Sequence, residues 1–243
     1  MARRCGQGST MEHEPKSVCI VTANIGGFET PKRPVVQMAE GVEIIDYKLV
    51  TDAELPPRKS LSPRMRAKLP KMFAWEMFPG YSAYIWMDAS MWMHQPDGVQ
   101  WFLDQLGWDA DIAVFRHPSR VSVREEAEYL TRAMAEGPDS AYLRARYSDE
   151  DLAGQLRALA AEREENALFA GTAFCYRPTR YIRRAMREWW YHVSRFHCND
   201  QLSFSFALWK GGCDVRAIDE NIFHASRLSR RRGYDPEVGR EGR

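Results

Sequence analysis

The sequence predicts a single α/β domain, a mostly parallel twisted sheet flanked by helices, and three observations carry that prediction. Val18-Cys-Ile-Val-Thr-Ala23 and Ala83-Tyr-Ile-Trp-Met87 are continuous apolar or β-branched runs without polar alternation, the pattern of strands buried on both faces. Strand-like runs of this kind alternate along the chain with amphipathic helical segments. With 243 residues, 44% of them apolar, the chain can bury a substantial core, and one domain accounts for it.

Composition narrows the partners. Lys plus Arg (34) almost balances Asp plus Glu (33), so no global field draws the chain to nucleic acid or membrane, and an anionic partner must be bound locally. The cysteines Cys5, Cys19, Cys175, Cys198 and Cys213 show no CxxC or zinc spacing, which predicts reduced, mostly buried thiols. No apolar leader-like segment opens the sequence and no run of 18 apolar residues occurs, so a soluble, cytoplasmic protein is the expectation. Residues 1–16 read as a disordered tail, 17–225 as the domain, and 226–243, with Arg230, Arg231 and Arg232, as a flexible basic end.

Taken in order, the first strand ends at Thr22 and Ala23 and opens into Asn24-Ile-Gly26-Gly27, where glycines suit either a plain turn or close backbone approach to a ligand. Val42 to Val50 is the second strand; Asp52 behind it is a turn residue or a second wall of the same crevice. Ser62-Pro63 supplies an N-cap and a first-position proline for a helix on which Arg64 and Lys68, four apart, share a face. That face either grips a diphosphate or is a solvated basic surface, and Pro70 is expected to break or restart the helix. The Ala83–Met87 run delivers Asp88 at its carboxyl end, where open α/β sheets bind ligands, although an Asp there also caps turns.

Asp97 is placed to cap a helix through Leu106, and Asp111 to Phe115 forms a strand that runs into Arg116-His117-Pro118-Ser119-Arg120. Ser122 and Glu125 make a capping-box pattern for the next helix, and Ser148 to Glu165 reads as an outer amphipathic helix. Leu168 to Tyr176 is strand-like around Gly171, a glycine that makes room for a ligand or another backbone. Thr179 caps a helix carrying Ile182, Met186, Trp189 and Val193 on one side. Asn199-Asp200-Gln201 starts a helix that ends at Gly211-Gly212, Cys213 to Ile218 is the last strand, and Asn221 to His224 follow it. Asp200 in a first helical turn is favourable for the helix dipole whether or not it has a chemical role.

Asp88-Ala-Ser90, Gly171-Thr-Ala, Asn199-Asp200-Gln201 and His224 occur in the order seen in glycosyltransferases of the GT-A type. Three segments resemble more closely the glycosyltransferase-like family that includes plant proteins of seed-mucilage pectin synthesis. They are Lys68-Leu-Pro-Lys-Met-Phe through Asp88, Arg116 to Arg120 with Glu125-Glu126-Ala-Glu128, and Asp200-Gln-Leu-Ser-Phe-Ser205. The resemblance implies a GT-A (nucleotide-diphospho-sugar transferase-like) fold, a nucleotide-sugar donor, a carbohydrate or other hydroxyl acceptor, and a divalent Mn²⁺ or Mg²⁺. It assigns Asp88 and His224 to the metal, Arg64 and Lys68 to the diphosphate, and Thr22, Ala23 and Asp52 to the nucleoside. Asp200 and Gln201 fall near the reacting centre, with Asp200 deprotonating the acceptor or orienting donor hydroxyls. Arg116, His117, Arg120, Glu125 and Gly171 border the acceptor or sugar pocket. The sequence departs from the Asp-x-Asp pattern at Ser90, where the second acid would stand. Because some members of the family are described as alkaline ceramidases, a metal-assisted hydrolase is a second reading, and a catalytically silent nucleotide-binding protein is a third.

Overall fold

The computed structural model describes residues 16–160 and 167–230. Five strands, β1 (Ser17–Ala23), β2 (Ile44–Val50), β3 (Ala83–Met87), β5 (Ile112–Arg116) and β7 (Val215–Ile218), join β6 (Phe169–Tyr176) in a six-stranded sheet of order β2-β1-β3-β6-β5-β7. Strand β6 runs antiparallel to both its neighbours, and the other pairings are parallel. The carboxyl ends of β1, β2, β3, β5 and β7 therefore meet the amino end of β6 along one edge. β4 (Met91–Met93) and β8 (Leu228–Arg230) form a separate antiparallel ribbon.

Both faces of the sheet are covered, as the unbroken apolar runs require. One core holds Tyr84, Trp86, Phe174 and Tyr176 from the sheet against Met72 of α1 (Pro63–Met77), Trp189 of α6 (Arg180–Arg195) and Phe204 of α7 (Gln201–Gly211). The Trp189 and Phe204 rings stack with centroids 3.9 Å apart. The other core packs Ile20, Ile85 and Phe115 against Phe102 of α2 (Gly98–Leu106) and against Met93 and Leu228 of the ribbon. α3 (Val123–Ala135), α4 (Ser140–Tyr147) and α5 (Leu152–Ala160) lie between β5 and β6 in the chain. The side chain of Ser122 accepts from Glu125 N and that of Thr179 accepts from Ile182 N, as the N-cap patterns predict. Gly212 closes α7 in the left-handed conformation, φ 76°.

Several expectations are corrected. α1 runs through Pro70, and its non-helical residue is Phe73. The expected 148–165 helix starts only at Leu152, because the Asp151 carboxylate accepts from Gly154 N at 2.7 Å and caps a new helix there. Its expected last residues, 161–165, lie outside the described residues, as do residues 1–15 of the expected tail and Arg231 and Arg232. Asp97 sits at the N-cap of α2 without a cap bond, since its carboxylate takes Arg227 at 2.8–3.1 Å instead. Strand β8 lies beyond residue 225: Leu228 is buried and pairs with Met93, so the ordered domain continues into the segment read as a flexible end. Cys19, Cys175, Cys198 and Cys213 are free thiols. Among the described residues no helix is long and apolar enough to cross a membrane.

Candidate active site

The site is built along the edge where the parallel strands end. Behind β1, Gly26 and Gly27 take φ of 77° and 68°, values that side chains rarely adopt, so the loop needs glycine at both positions. Gly26 N donates to Asp52 Oδ2 at 2.7 Å, and Arg66 Nη1 donates to Asp52 Oδ1 at 2.8 Å. The Gly26 amide, and after it Arg66, hold the Asp52 carboxyl below its ordinary range despite the opposing effect of burial. Asp52 thus ties the glycine loop to α1. Thr22 and Ala23 are buried at the end of the strand beside it.

Behind β3, the Asp88 amide donates to Thr172 O at 2.8 Å, which pins the turn to β6. Asp88 Oδ1 accepts from Trp86 Nε1 at 2.9 Å and lies 3.5 Å from Lys71 Nζ. The same ammonium is 2.7 Å from Asp200 Oδ2, and Lys68 Nζ reaches that oxygen at 2.8 Å. Arg64, Lys68 and Lys71 follow one another at helical spacing on α1, so one helical face sends its cations to the segment before α7. Arg64 Nη1 donates to Arg146 O at 2.8 Å and to Cys198 Sγ at 3.3 Å, while Lys68 Nζ donates to Asp200 Oδ2 at 2.8 Å. The expected Arg64–Lys68 pair shares its face, but the two cations have separate partners.

Asp200 stands at the N-cap of α7 without capping it, because both ammonium groups compete for its carboxylate. Trp189 Nε1 donates to its carbonyl at 2.8 Å and fixes the turn. Burial alone would raise the Asp200 carboxyl, but Lys68 and Lys71 outweigh it and hold the group well below the usual carboxylate range. Burial lowers Lys68, and Lys71 adds to that fall against the pull of Asp200; on Lys71 the pull of Asp200 and Asp88 wins over burial and leaves it raised. Gly171 of β6 faces this cluster: a Cβ there would lie 3.1 Å from Lys71 Nζ and 3.4 Å from Asp200 Oδ1.

A second buried cluster centres on Glu126, which is 2% exposed. Its Oε1 accepts from Asn199 Nδ2 at 3.0 Å and Gln201 Nε2 at 3.2 Å, and its Oε2 pairs with Arg120 Nε. His117 Nδ1 accepts from Ser119 N at 3.2 Å and Arg120 N at 3.0 Å, an anchor for the turn after β5. Burial, then the Arg120 charge, lowers the His117 imidazole against the pull of Glu126. The exposed Glu125 accepts from Val121 N at 2.9 Å and belongs to the cap of α3. Arg116 is exposed and pairs with Asp219 at 3.1 Å. Of the residues expected around an acceptor, then, Arg120 and His117 join the cluster, Gly171 faces the lysines, and Glu125 and Arg116 serve local structure.

Lys71, Glu126 and Arg66 were missed from the sequence, and a signal for one of them existed. Lys71 continues the Arg64–Lys68 stripe, which the expected break at Pro70 obscured. Glu126 is masked by its neighbour Glu125, which carries the capping signal.

The expected metal site is not met by its residues. Mg²⁺ and Mn²⁺ need several oxygen ligands in near-octahedral arrangement. Asp88 offers a carboxylate whose Oδ1 already faces an indole N–H and an ammonium, and Ser90 stands where a second acid would help. His224 is exposed in the turn before β8, with its amide bonded to Asn221 O at 2.9 Å. Among the described residues no three His, Cys, Asp or Glu side chains converge as a ligand set. An incoming dication would also meet the like charge of Lys71. This donor set does not fit a resident divalent ion.

The model of the TOD1/MUCI70 glycosyltransferase-like domain matches residues 44–229, from β2 to β8 and including every residue of both clusters. The chain belongs to that family. TOD1/MUCI70-type similarity thus covers Asp52, Asp88, Glu126, Gly171 and Asp200 and leaves β1 outside the matched span. No curated protein matches the sequence. Solved structures with similar shape include CMP:2-keto-3-deoxy-manno-octonic acid synthetase complexed with CTP, with TM-score 0.39, 12% identity, and 84% of this chain and 90% of that one covered. Another is core-mannan synthase A of Aspergillus fumigatus in its Mn/GDP form, with TM-score 0.39, 11% identity and coverages of 87% and 74%. A third is glucosyl-3-phosphoglycerate synthase of M. tuberculosis, with TM-score 0.34, 10% identity and coverages of 92% and 76%.

Proposed function

We propose that the domain transfers a sugar from a nucleoside-diphosphate donor to a hydroxyl acceptor, with the donor bound across the carboxyl ends of β1 and β3. The observation that carries this reading is the buried Lys68–Asp200–Lys71 group abutting Asp88 at that edge, in a chain of a glycosyltransferase-like family. Glycosyl transfer leaves negative charge on the departing diphosphate, and cations fixed in a site of low dielectric stabilise such charge strongly. The glycine loop held by Asp52 suits the nucleoside end, since it lets backbone approach a flat ligand closely.

Asp200 orients the two lysines in this reading. A carboxylate that two ammonium groups hold ionised is a weak proton acceptor, so the acceptor-deprotonating role is not assigned to it. Glu126 holds Asn199 and Gln201, the two residues flanking Asp200, through one carboxylate oxygen and Arg120 through the other, and in this reading the cluster is the wall against which the sugar or acceptor lies.

The test is nucleoside-diphosphate release from UDP- and GDP-sugars with and without a panel of oligosaccharide acceptors. Release that rises at least tenfold with an acceptor is expected. Equal release without any acceptor replaces this reading with hydrolysis, and absence of release with all donors replaces it with nucleotide binding alone.

A further inference from the structure

We infer that the Lys71 ammonium, backed by Lys68, takes the part of a divalent cation toward the donor diphosphate, so that nucleotide binding at this site is independent of metal. The inference deepens the proposed function and rests on it. Position is the first support. The ammonium lies 3.5 Å from Asp88 Oδ1, beside the one acid at the strand end that would anchor a metal.

Charge is the second support. Lys68 and Lys71 share a single oxygen of Asp200, at 2.8 and 2.7 Å, so the buried group carries one more positive than negative charge. An uncompensated charge in a low-dielectric site is costly until an anion meets it. Asp88 supplies that anion only in part, through the longer of the two carboxylate contacts of Lys71, and its side chain is 39% exposed where that of Lys71 is 6%. A phosphate oxygen arriving from solvent therefore meets Asp88 first and can replace it on the ammonium with a shorter, charge-assisted contact. Gly171 is the third support, because any side chain there would press on Nζ from 3.1 Å at the Cβ alone.

In the transfer, the bond from the anomeric carbon to the β-phosphate oxygen breaks and its electron pair stays on that oxygen. The acceptor oxygen bonds to the anomeric carbon, and its proton passes to solvent. The ammonium opposes the charge that develops on the departing oxygen, the service a metal performs in other transferases.

Calorimetric titration with UDP and GDP, in EDTA and separately in Mn²⁺, tests the inference on wild type, Lys71→Met, Lys71→Arg and Asp88→Asn. Expected are equal affinities in EDTA and Mn²⁺, a loss of about tenfold or more in Lys71→Met, equivalent to about 1.4 kcal/mol, and partial recovery in Lys71→Arg. Lys71→Met leaves Asp200 paired with Lys68, and a melting curve verifies that it is folded. Asp88→Asn removes the competitor for the ammonium, so it should bind nucleotide about threefold tighter, whereas a metal anchored on Asp88 would be lost with it. Binding that needs Mn²⁺, wild-type affinity in Lys71→Met, or weaker binding in Asp88→Asn overturns the inference and leaves the proposed function standing. Absence of binding under both conditions overturns both.

Discussion

Gly171 shows how a residue with no side chain shapes the site. Lys71 Nζ would lie 3.1 Å and Asp200 Oδ1 3.4 Å from an added Cβ, closer than ordinary packing on the nitrogen side. Lys71 is held by two carboxylates, so it yields little, and Gly171→Ala is expected to weaken nucleotide binding severalfold while shifting the melting temperature only slightly. Calorimetry beside a melting curve separates the two effects. Glu126 behaves in the opposite way, because its side chain satisfies three partners at once. Glu126→Ala strands the Arg120 guanidinium and two side-chain amides, which should cost about 3 kcal/mol in urea unfolding, the lower end for a broken buried pair because Arg120 keeps some contact with water. Glu126→Gln retains an acceptor oxygen and should cost clearly less. Equal losses for the two variants would show that the charge, not the shape, matters there.

At the scale of elements, α1 organises the edge: it sends Arg66 to Asp52, Lys68 and Lys71 to Asp200, and Arg64 to the Cys198 turn. Its existence was legible from Ser62-Pro63, and so were β1, β3, β6, α6 and α7, each of which carries a long apolar run, a strong stripe or a paired cap signal. The β4–β8 ribbon was not legible. Three residues give no measurable alternation, and the pairing partner lies far along the chain in a segment whose arginines suggest a loose end. The ribbon is nevertheless part of the fold, since Leu228 is 1% exposed between Met91, Met93 and Ile222 in one core. Leu228→Ala should therefore destabilise the domain by about 2–5 kcal/mol, the range for a truncated buried leucine. A flexible end would show no change in the urea midpoint.

Over the whole molecule, the candidate site joins segments that sequence reading could place at one sheet edge but could not connect. Asp88 and Asp200 were singled out, yet their shared partner Lys71 comes from a third segment, and no local pattern encodes which carboxylate a buried lysine will meet. The same assembly predicts how the molecule responds to acid. His197, beside this group, is fully buried, with Nδ1 accepting from Asn199 N at 3.0 Å and its ring 4.9 Å from that of Tyr147. Burial pulls its imidazole from the ordinary 6.5 down to about 4, Glu150 opposing and Arg64, Lys68 and Arg146 adding to the fall. As pH drops from 6.5 toward 4 the unfolded chain takes up a proton that the folded chain refuses, so folding stability declines by about 3 kcal/mol over that window. Asp200 acts lower. Its folded carboxyl lies below the unfolded value, so its contribution is complete above that value and is lost only as pH falls further, through the folded one. Urea unfolding at a series of pH values should thus show two successive declines. His197→Asn keeps an acceptor near Asn199 N but cannot titrate, and it should remove most of the decline between pH 6.5 and 4, leaving the smaller share that the lowered His117 imidazole contributes and the lower decline in place. A wild-type midpoint that is flat between those values, or an unchanged decline in His197→Asn, would mean that the imidazole can take a proton in the folded state and that the packing around Asp200 is looser than described.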